Sequence, residues 1–337
     1  MKKLRIVALV LIIVVLSYTV IALLPRPQGY EGKNPLISDT DMPILIAHRG
    51  GDGEFPGNTM EAFYNAYSVD ERVIFETDAS LTRDGVLILC HDTYLDDYTN
   101  ASGNIIDWNY SDLISGEVDF GYNNKMKDGV VTEQLRFKNE RGEHVTPTDV
   151  DYPEGVLPRH DSIFLATTLE DLLTAFPNNI VSVEIKQEGE VGLRAHKEAL
   201  RIIDEHDAWD RVIVASFHDE IYEKSREEAA DDGRQNGMLF SPSLGAVVRY
   251  YVLQLLGLDL FFGDRIAVFQ IPTEKMGFTL ATKGFIKSAH KHNIAVHYWT
   301  INSEDEMREL VELGADGIMT DYPHRLKAVY DSYSKGE

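Results

Sequence analysis

The feature that most restricts this chain is a rhythm. After Met42, short apolar runs rich in β-branched residues alternate with amphipathic stretches of helical length. The runs are residues 44–47, 73–75, 86–89, 180–185, 211–215, 266–271, 294–299 and 317–320, with 238–240 as a weaker ninth. Helix-length segments lie at 59–68, 169–175, 191–206, 220–231, 281–292 and 303–313. Nearly continuous apolar strands separated by helices imply a parallel sheet covered on both faces. Eight or nine such units in a chain of 337 residues favour an α/β fold of the TIM (β/α)8 barrel type over an open sheet. One connection breaks the rule. Residues 79–85 are too few for a helical crossover, so an extended return or a local irregularity is expected there. Residues 93–165 are long for one loop and hold Asn123, Asn124, Gly129, Gly142, Pro147, Pro153, Gly155 and Pro158. They read as a largely irregular insertion after the third strand, of the kind that forms a lid or wall.

The first thirty residues have a different character. Lys2, Lys3 and Arg5 precede an uncharged apolar run over residues 6–24. At 1.5 Å per residue that run spans about 28 Å, close to the ~30 Å hydrocarbon core of a bilayer. A cleaved signal peptide has a shorter apolar region and a small-residue cleavage site; here Pro25, Arg26 and Pro27 follow. The expectation is a cytoplasmic basic tip at 1–5, a transmembrane anchor at 6–24 and a Pro/Gly-rich linker at 25–42. An extracytoplasmic barrel domain over 43–330 follows. The net charge of −23 excludes nucleic acid as a main partner and offers no attraction to anionic lipid, so the anchor alone would hold the domain at the membrane. The single cysteine, Cys90, rules out an intramolecular disulfide and a four-cysteine zinc site.

In a barrel of this type, polar residues at the C-terminal ends of strands read as site residues. Here those ends are rich in chemistry: His48-Arg49-Gly50, Glu76-Thr77-Asp78, His91-Asp92, Glu184-Ile185-Lys186, Trp299-Thr300-Ile301-Asn302 and Thr320-Asp321-Tyr322-Pro323. Glu76 and Asp78 are two apart on a strand and share a face, as do Glu184 and Lys186. One such pair is as readily a solvated strand end. Three carboxylates at one mouth, however, repel unless a cation joins them, and oxygen-only ligation favours Ca²⁺ or Mg²⁺. His48 and His91 beside such an ion would supply acid–base catalysis near neutral pH. Arg49 and Lys186 would clamp a phosphate and stabilise charge growing on its oxygens. The residues alone therefore point to a metal-dependent phosphoryl-transfer or phosphodiester-cleaving site.

The strings I-A-H-R-G at 46–50, F-P-G-N-T-M-E-A-F at 55–63, F-E-T-D-A-S-L-T-R-D-G-V at 75–86 and H-D at 91–92 resemble the glycerophosphodiester phosphodiesterase family. So do V-E-I-K at 183–186, W-T-I-N at 299–302 and G-A-D-G-I-M-T-D-Y-P at 314–323. The resemblance implies a TIM barrel that hydrolyses glycerophosphodiesters to glycerol 3-phosphate and an alcohol. It implies His48 and His91 as the acid/base pair, and Glu76, Asp78 and Glu184 as divalent-metal ligands. Arg49 and Lys186 become the phosphate-binding cations, and Trp299 an aromatic on the glycerol side of the pocket, unless it serves only to pack the barrel. The chain departs from the family pattern in three places. Gly57 stands where a glutamate is usual, with Glu54 as a candidate substitute. An arginine is usual near Asp97, where this chain reads Leu95-Asp96-Asp97-Tyr98. Residues 123–165 exceed the usual insertion. Two other activities fit the same residues: a phospholipase D-like enzyme acting on lysophospholipids or intact lipids, motivated by the anchor and the aromatic-rich run 247–262, and a non-catalytic metal- or phosphate-binding surface module.

Overall fold

The computed structural model describes residues 2–216, 218, 220, 221, 223, 224, 227, 239–275 and 277–335. Eight strands form a parallel ladder: β1 (Ile44–Ala47), β2 (Ile74–Leu81), β6 (Val181–Ile185), β7 (Val212–Ala215), β8 (Leu239–Phe240), β9 (Val268–Ile271), β12 (Ala295–Tyr298) and β13 (Gly317–Thr320). They follow one another around the sheet in chain order, and β13 pairs with β1. The seam between β8 and β9 is bridged by the Ala267 N–H donating to the Phe240 carbonyl at 2.9 Å. The result is a near-closed eight-stranded parallel barrel, the fold expected from the strand–helix rhythm. β3 (Leu87–Leu89) is not a stave. It returns antiparallel along β2, pairing Ala79 with Leu89, which is the extended return that so short a connection permits. The weak run ending at Phe240 supplies the stave in its place.

Among the described residues the helices with both ends defined are α1 (Lys2–Leu23), α2 (Met60–Val69), α3 (Tyr110–Leu113), α4 (Leu169–Ala175), α5 (Gly189–Glu205), α6 (Leu244–Leu255), α7 (Lys283–Lys291), α8 (Glu304–Leu313) and α9 (Pro323–Lys335). Side chains cap several of them: Thr59 and Ser243 accept from the third backbone N–H, and Thr168 forms a reciprocal capping box with Asp171. The helix expected over 220–231 lies largely outside the described residues. The insertion carries two short hairpin strands, β4 (Lys125–Lys127) and β5 (Val130–Glu133), and little other regular structure beyond α3. It is nonetheless packed, with Leu95, Ile105, Leu113, Val118, Phe120 and Phe164 forming a core of their own. A second small ladder, β10 (Glu274–Lys275) with β11 (Phe278–Thr279), follows β9.

Strand alternation sorts the barrel into two layers. Leu45, Phe75, Val181, Val183 and Ile185 point outward to the helices. Ile46, Ile74, Ile213, Leu239, Val268, Ala295 and Met319 fill the interior. The same parity continues up β2 and β6. From Ile74 the inward residues are Glu76 and Asp78; between outward Val183 and Ile185 lies inward Glu184, followed by Lys186. Carboxylates two apart on a strand therefore arrive together at the upper end of the barrel.

Residues 25–42, expected as a linker, contain no helix or strand but are docked on the barrel floor. Leu36 is fully buried in the interior layer, and His297 Nε2 donates to its carbonyl at 2.8 Å. Asn34 Nδ2 bonds the carbonyls of Ala267 and Asn293. Arg26 forms a buried pair with Asp259 at 2.9 Å. A barrel open at its lower end exposes apolar side chains, and Leu36 closes it. Of α1, expected as the anchor, several side chains lie outside the described residues; those described, from Ile6 to Leu16, are more than half exposed. Among the described residues no helix is long and apolar enough to cross a membrane.

Candidate active site

The upper end of the barrel brings together seven of the eight residues singled out from sequence, with Trp299 at its edge. Glu76, Asp78 and Glu184 each offer an oxygen within 4.8 Å of the others, and the first two are almost fully buried. Burial and Asp78 push the Glu76 carboxyl up to about 7. Burial also raises Glu184. Asp78 moves the other way: burial would raise it, but Lys186 and Arg49 hold it below the usual range. Three oxygen donors with negative charge incompletely neutralised suit a hard divalent cation such as Ca²⁺ or Mg²⁺.

Two cations border the triad. Lys186 Nζ lies 3.0 Å from Asp78 and 3.1 Å from Glu184. Burial works against its charge, but the two carboxylates overcome it and raise its pKa. Arg49 Nε is 3.4 Å from Asp78, and Nη1 is 3.3 Å from both Asp52 and Tyr98 Oη. The Nε atom is buried without a hydrogen-bond partner, which leaves a cationic donor at the mouth. Arg49 has φ 53°, rare for a side chain of its size, and its backbone is fastened on both sides. Its N–H donates to Glu76 at 3.1 Å, and its carbonyl accepts from Asn58 N–H at 2.8 Å.

The histidines are held alike. His48 Nδ1 lies 2.6 Å from Asp321 Oδ1, and His91 Nδ1 lies 3.0 Å from Asp92 Oδ1. A carboxylate can only accept, so each Nδ1 carries the proton and each Nε2 is released for a ligand. His48 Nε2 stands 3.9 Å from Glu76, while His91 is felt by Asp78 and Glu184. The histidines thus address different members of the triad. Burial would lower the His48 pKa, but the Asp321 hydrogen bond and the Glu76 charge win and raise it.

Several contributors escaped the sequence reading. Asp321 is steadied by Asn302, whose Nδ2 donates to Oδ2 at 2.6 Å while Oδ1 accepts from Thr320 Oγ1 and from Asp321 N–H. Asn58 donates to Asp78 at 3.1 Å. The signal was present, since Asn302 and Asp321 stand at strand ends, but their hydrogen-bond roles depend on cross-strand register. Glu54 does not replace the carboxylate missing at Gly57. It turns away to His324 and Asn65. Asp52 lies there instead, accepting from Gly57 N–H at 2.9 Å, and a Cβ on Gly57 would come within 2.6 Å of its Oδ1. Asp97 bonds Asp92, and its carboxyl is pushed up to about 6 by burial and that neighbour. Trp299 is half-exposed at the end of β12 and packs partly on the interior layer. Cys90 is buried with its thiol pushed up to about 12, so it is no nucleophile.

The Glycerophosphoryl diester phosphodiesterase family pattern matches residues 48–325. A Bacillus subtilis glycerophosphodiester phosphodiesterase is 24% identical over 98% of this chain and 100% of its own length. The lysophospholipase D GDPD1 of Rattus norvegicus is 26% identical, with 86% of each chain covered. Among solved structures, a glycerophosphoryl diester phosphodiesterase domain from Mycobacterium tuberculosis superposes with a TM-score of 0.62. It is 17% identical, with 86% of this chain and 98% of that one covered, and shares the fold. The chain belongs to the glycerophosphoryl diester phosphodiesterase family and is an enzyme of the phosphoric diester hydrolase class.

Proposed function

We propose that this enzyme hydrolyses small glycerophosphodiesters to sn-glycerol 3-phosphate and an alcohol, using a divalent cation. The supporting observation is the carboxylate triad Glu76–Asp78–Glu184 addressed by two histidines whose Nε2 atoms are both free. The triad would hold Ca²⁺ or Mg²⁺, which when bound would polarise the phosphoryl oxygens. Arg49 and Lys186 bind the remaining phosphate charge. With the phosphate so placed, the glycerol 2-hydroxyl attacks phosphorus. One histidine accepts its proton, the other protonates the departing alcohol, and water then opens the cyclic phosphate. Trp299 lines the glycerol side. α1 anchors the chain with its N-terminus in the cytoplasm and the barrel outside the membrane, as its flanking lysines and arginine favour.

The test uses full-length protein with glycerophosphocholine, glycerophosphoethanolamine and a lysophospholipid, each with Ca²⁺, Mg²⁺ or chelator. Cation-dependent glycerol 3-phosphate from the diesters supports the proposal. Head-group release from the lysophospholipid alone would replace it with the lipid-directed activity that the likeness to lysophospholipase D keeps in view.

A further inference from the structure

α6 buries one face and exposes another that is equally apolar. Ala246, Val247 and Tyr250 point into the barrel shell, where Tyr250 meets Phe262, Phe269 and Phe285. Leu244, Val248, Val252 and Leu255 recur on the other side at helical spacing, each about half exposed or more. Leu256 and Phe261 extend the stripe beyond the helix, and Phe278, packed on Tyr251, widens it. Scattered apolar residues are normal on a surface, but a continuous stripe marks a contact.

The charge pattern says what kind. The chain has a net charge of −23, yet between residues 242 and 263 its only charged side chains are Arg249 and Asp259. Asp259 is buried, so no carboxylate is exposed along this stretch. The stripe is also continuous with α1. The segment leaving α1 is pinned by Arg26 to Asp259, four residues after α6 ends. Higher on α1, Tyr18 crowds Gly257 so closely that a Cβ there would collide with its hydroxyl.

We propose that the outer face of α6 rests on the bilayer that α1 enters. The inference builds on the anchored reading above. Leu244 follows the C-terminal end of β8 and therefore lies near the mouth, whereas Leu255 and Leu256 lie near the floor. A contact running between them sets the barrel axis along the membrane plane. The mouth then opens beside the head groups, and the enzyme samples phosphodiesters at the surface rather than from bulk solution alone.

Full-length protein reconstituted in phosphatidylcholine vesicles carries one nitroxide label at a time, on cysteine substituted for Val248, Leu255, Leu11 or Glu309. Buried Cys90 stays unlabelled. Power-saturation depth measurements with oxygen and an aqueous nickel chelate are expected to place labels 248 and 255 about 5–10 Å below the head groups. Label 11 should lie deeper, and label 309 in water. Labels 248 and 255 as exposed to nickel as label 309, with label 11 buried, would overturn the face contact and leave the anchor standing. Label 11 in water would overturn the anchor and the contact together. Spin–spin broadening at 248 without lipid depth would assign the face to a second copy of the chain and overturn the proposal.

Discussion

Asp321→Asn tests how the mouth holds His48. Asp321 Oδ1 lies 2.6 Å from His48 Nδ1, and Oδ2 accepts from Asn302 Nδ2 at 2.6 Å. In the variant the carboxamide oxygen must stay on Asn302, because an NH₂ group can only donate. Its own NH₂ then faces His48 Nδ1, which becomes the acceptor, and the imidazole proton moves to Nε2. The lone pair that should face the substrate is lost. The charge-assisted hydrogen bond alone is worth about 1.5–3 kcal/mol. At 1.36 kcal/mol per factor of ten, kcat/KM for glycerophosphocholine should fall roughly 10- to 150-fold, and further through the wrong tautomer. The pH dependence has a definite sign. His48 is raised, so its stabilising share is present below about pH 6.5 and fades as pH climbs through its folded value. Asp321 is lowered by its bond to His48 against the pull of burial, so its share is present above about pH 3.9 and fades in acid. Urea unfolding should therefore show the largest wild-type advantage between about pH 4 and pH 6.5. Wild-type kcat/KM and an unchanged pH–rate profile in the variant would show that Asp321 does not set the His48 tautomer.

Three further outcomes follow from the geometry. Gly57→Glu, which restores the carboxylate usual in the family, should destabilise by about 1–3 kcal/mol in urea unfolding, because its Cβ meets Asp52 at 2.6 Å; an unchanged midpoint with higher activity would show that Asp52 does not fill that place. Leu36→Ala should cost about 2–5 kcal/mol by the same measurement, since the side chain is fully buried in the barrel floor; a change near zero would mean the 25–42 segment is not docked. Cation affinity measured by calorimetry should weaken as pH falls below about 7, the value to which Glu76 is pushed, because a proton competes for that carboxylate; affinity independent of pH between 5 and 8 would remove Glu76 from the ligand set.

Strand periodicity carried most of the fold and most of the site. The parity that sends Ile74 into the barrel also sends Glu76 and Asp78 there, so residues 74–78 alone put both carboxylates on the inward face. The brevity of 79–85 likewise revealed that β3 could not be a parallel stave. Other features depend on distant partners. Nothing in Pro25 to Met42 signals that Leu36 closes the floor, because its neighbours come from strands up to 283 residues further on, at Met319. The orientation of His48 rests on Asn302 and Asp321, which meet it only through the pairing of β1 with β13. Glu54 was the nearest carboxylate in sequence to the gap at Gly57, but Asp52 was nearer in space. The aromatic-rich run 247–262 was ambiguous for a physical reason: both faces of α6 are apolar, and period alone cannot say which one the barrel takes.

On the proposed mechanism, two histidines work on a phosphodiester beside the carboxylate triad. That mechanism is tested most directly by following glycerophosphocholine with ³¹P NMR for wild type, His48→Ala and His91→Ala, alongside Ca²⁺ binding by calorimetry on the same samples. Glycerol 3-phosphate is expected from wild type only, with all three proteins binding the cation through Glu76, Asp78 and Glu184. Turnover at the wild-type rate in either histidine variant would contradict it.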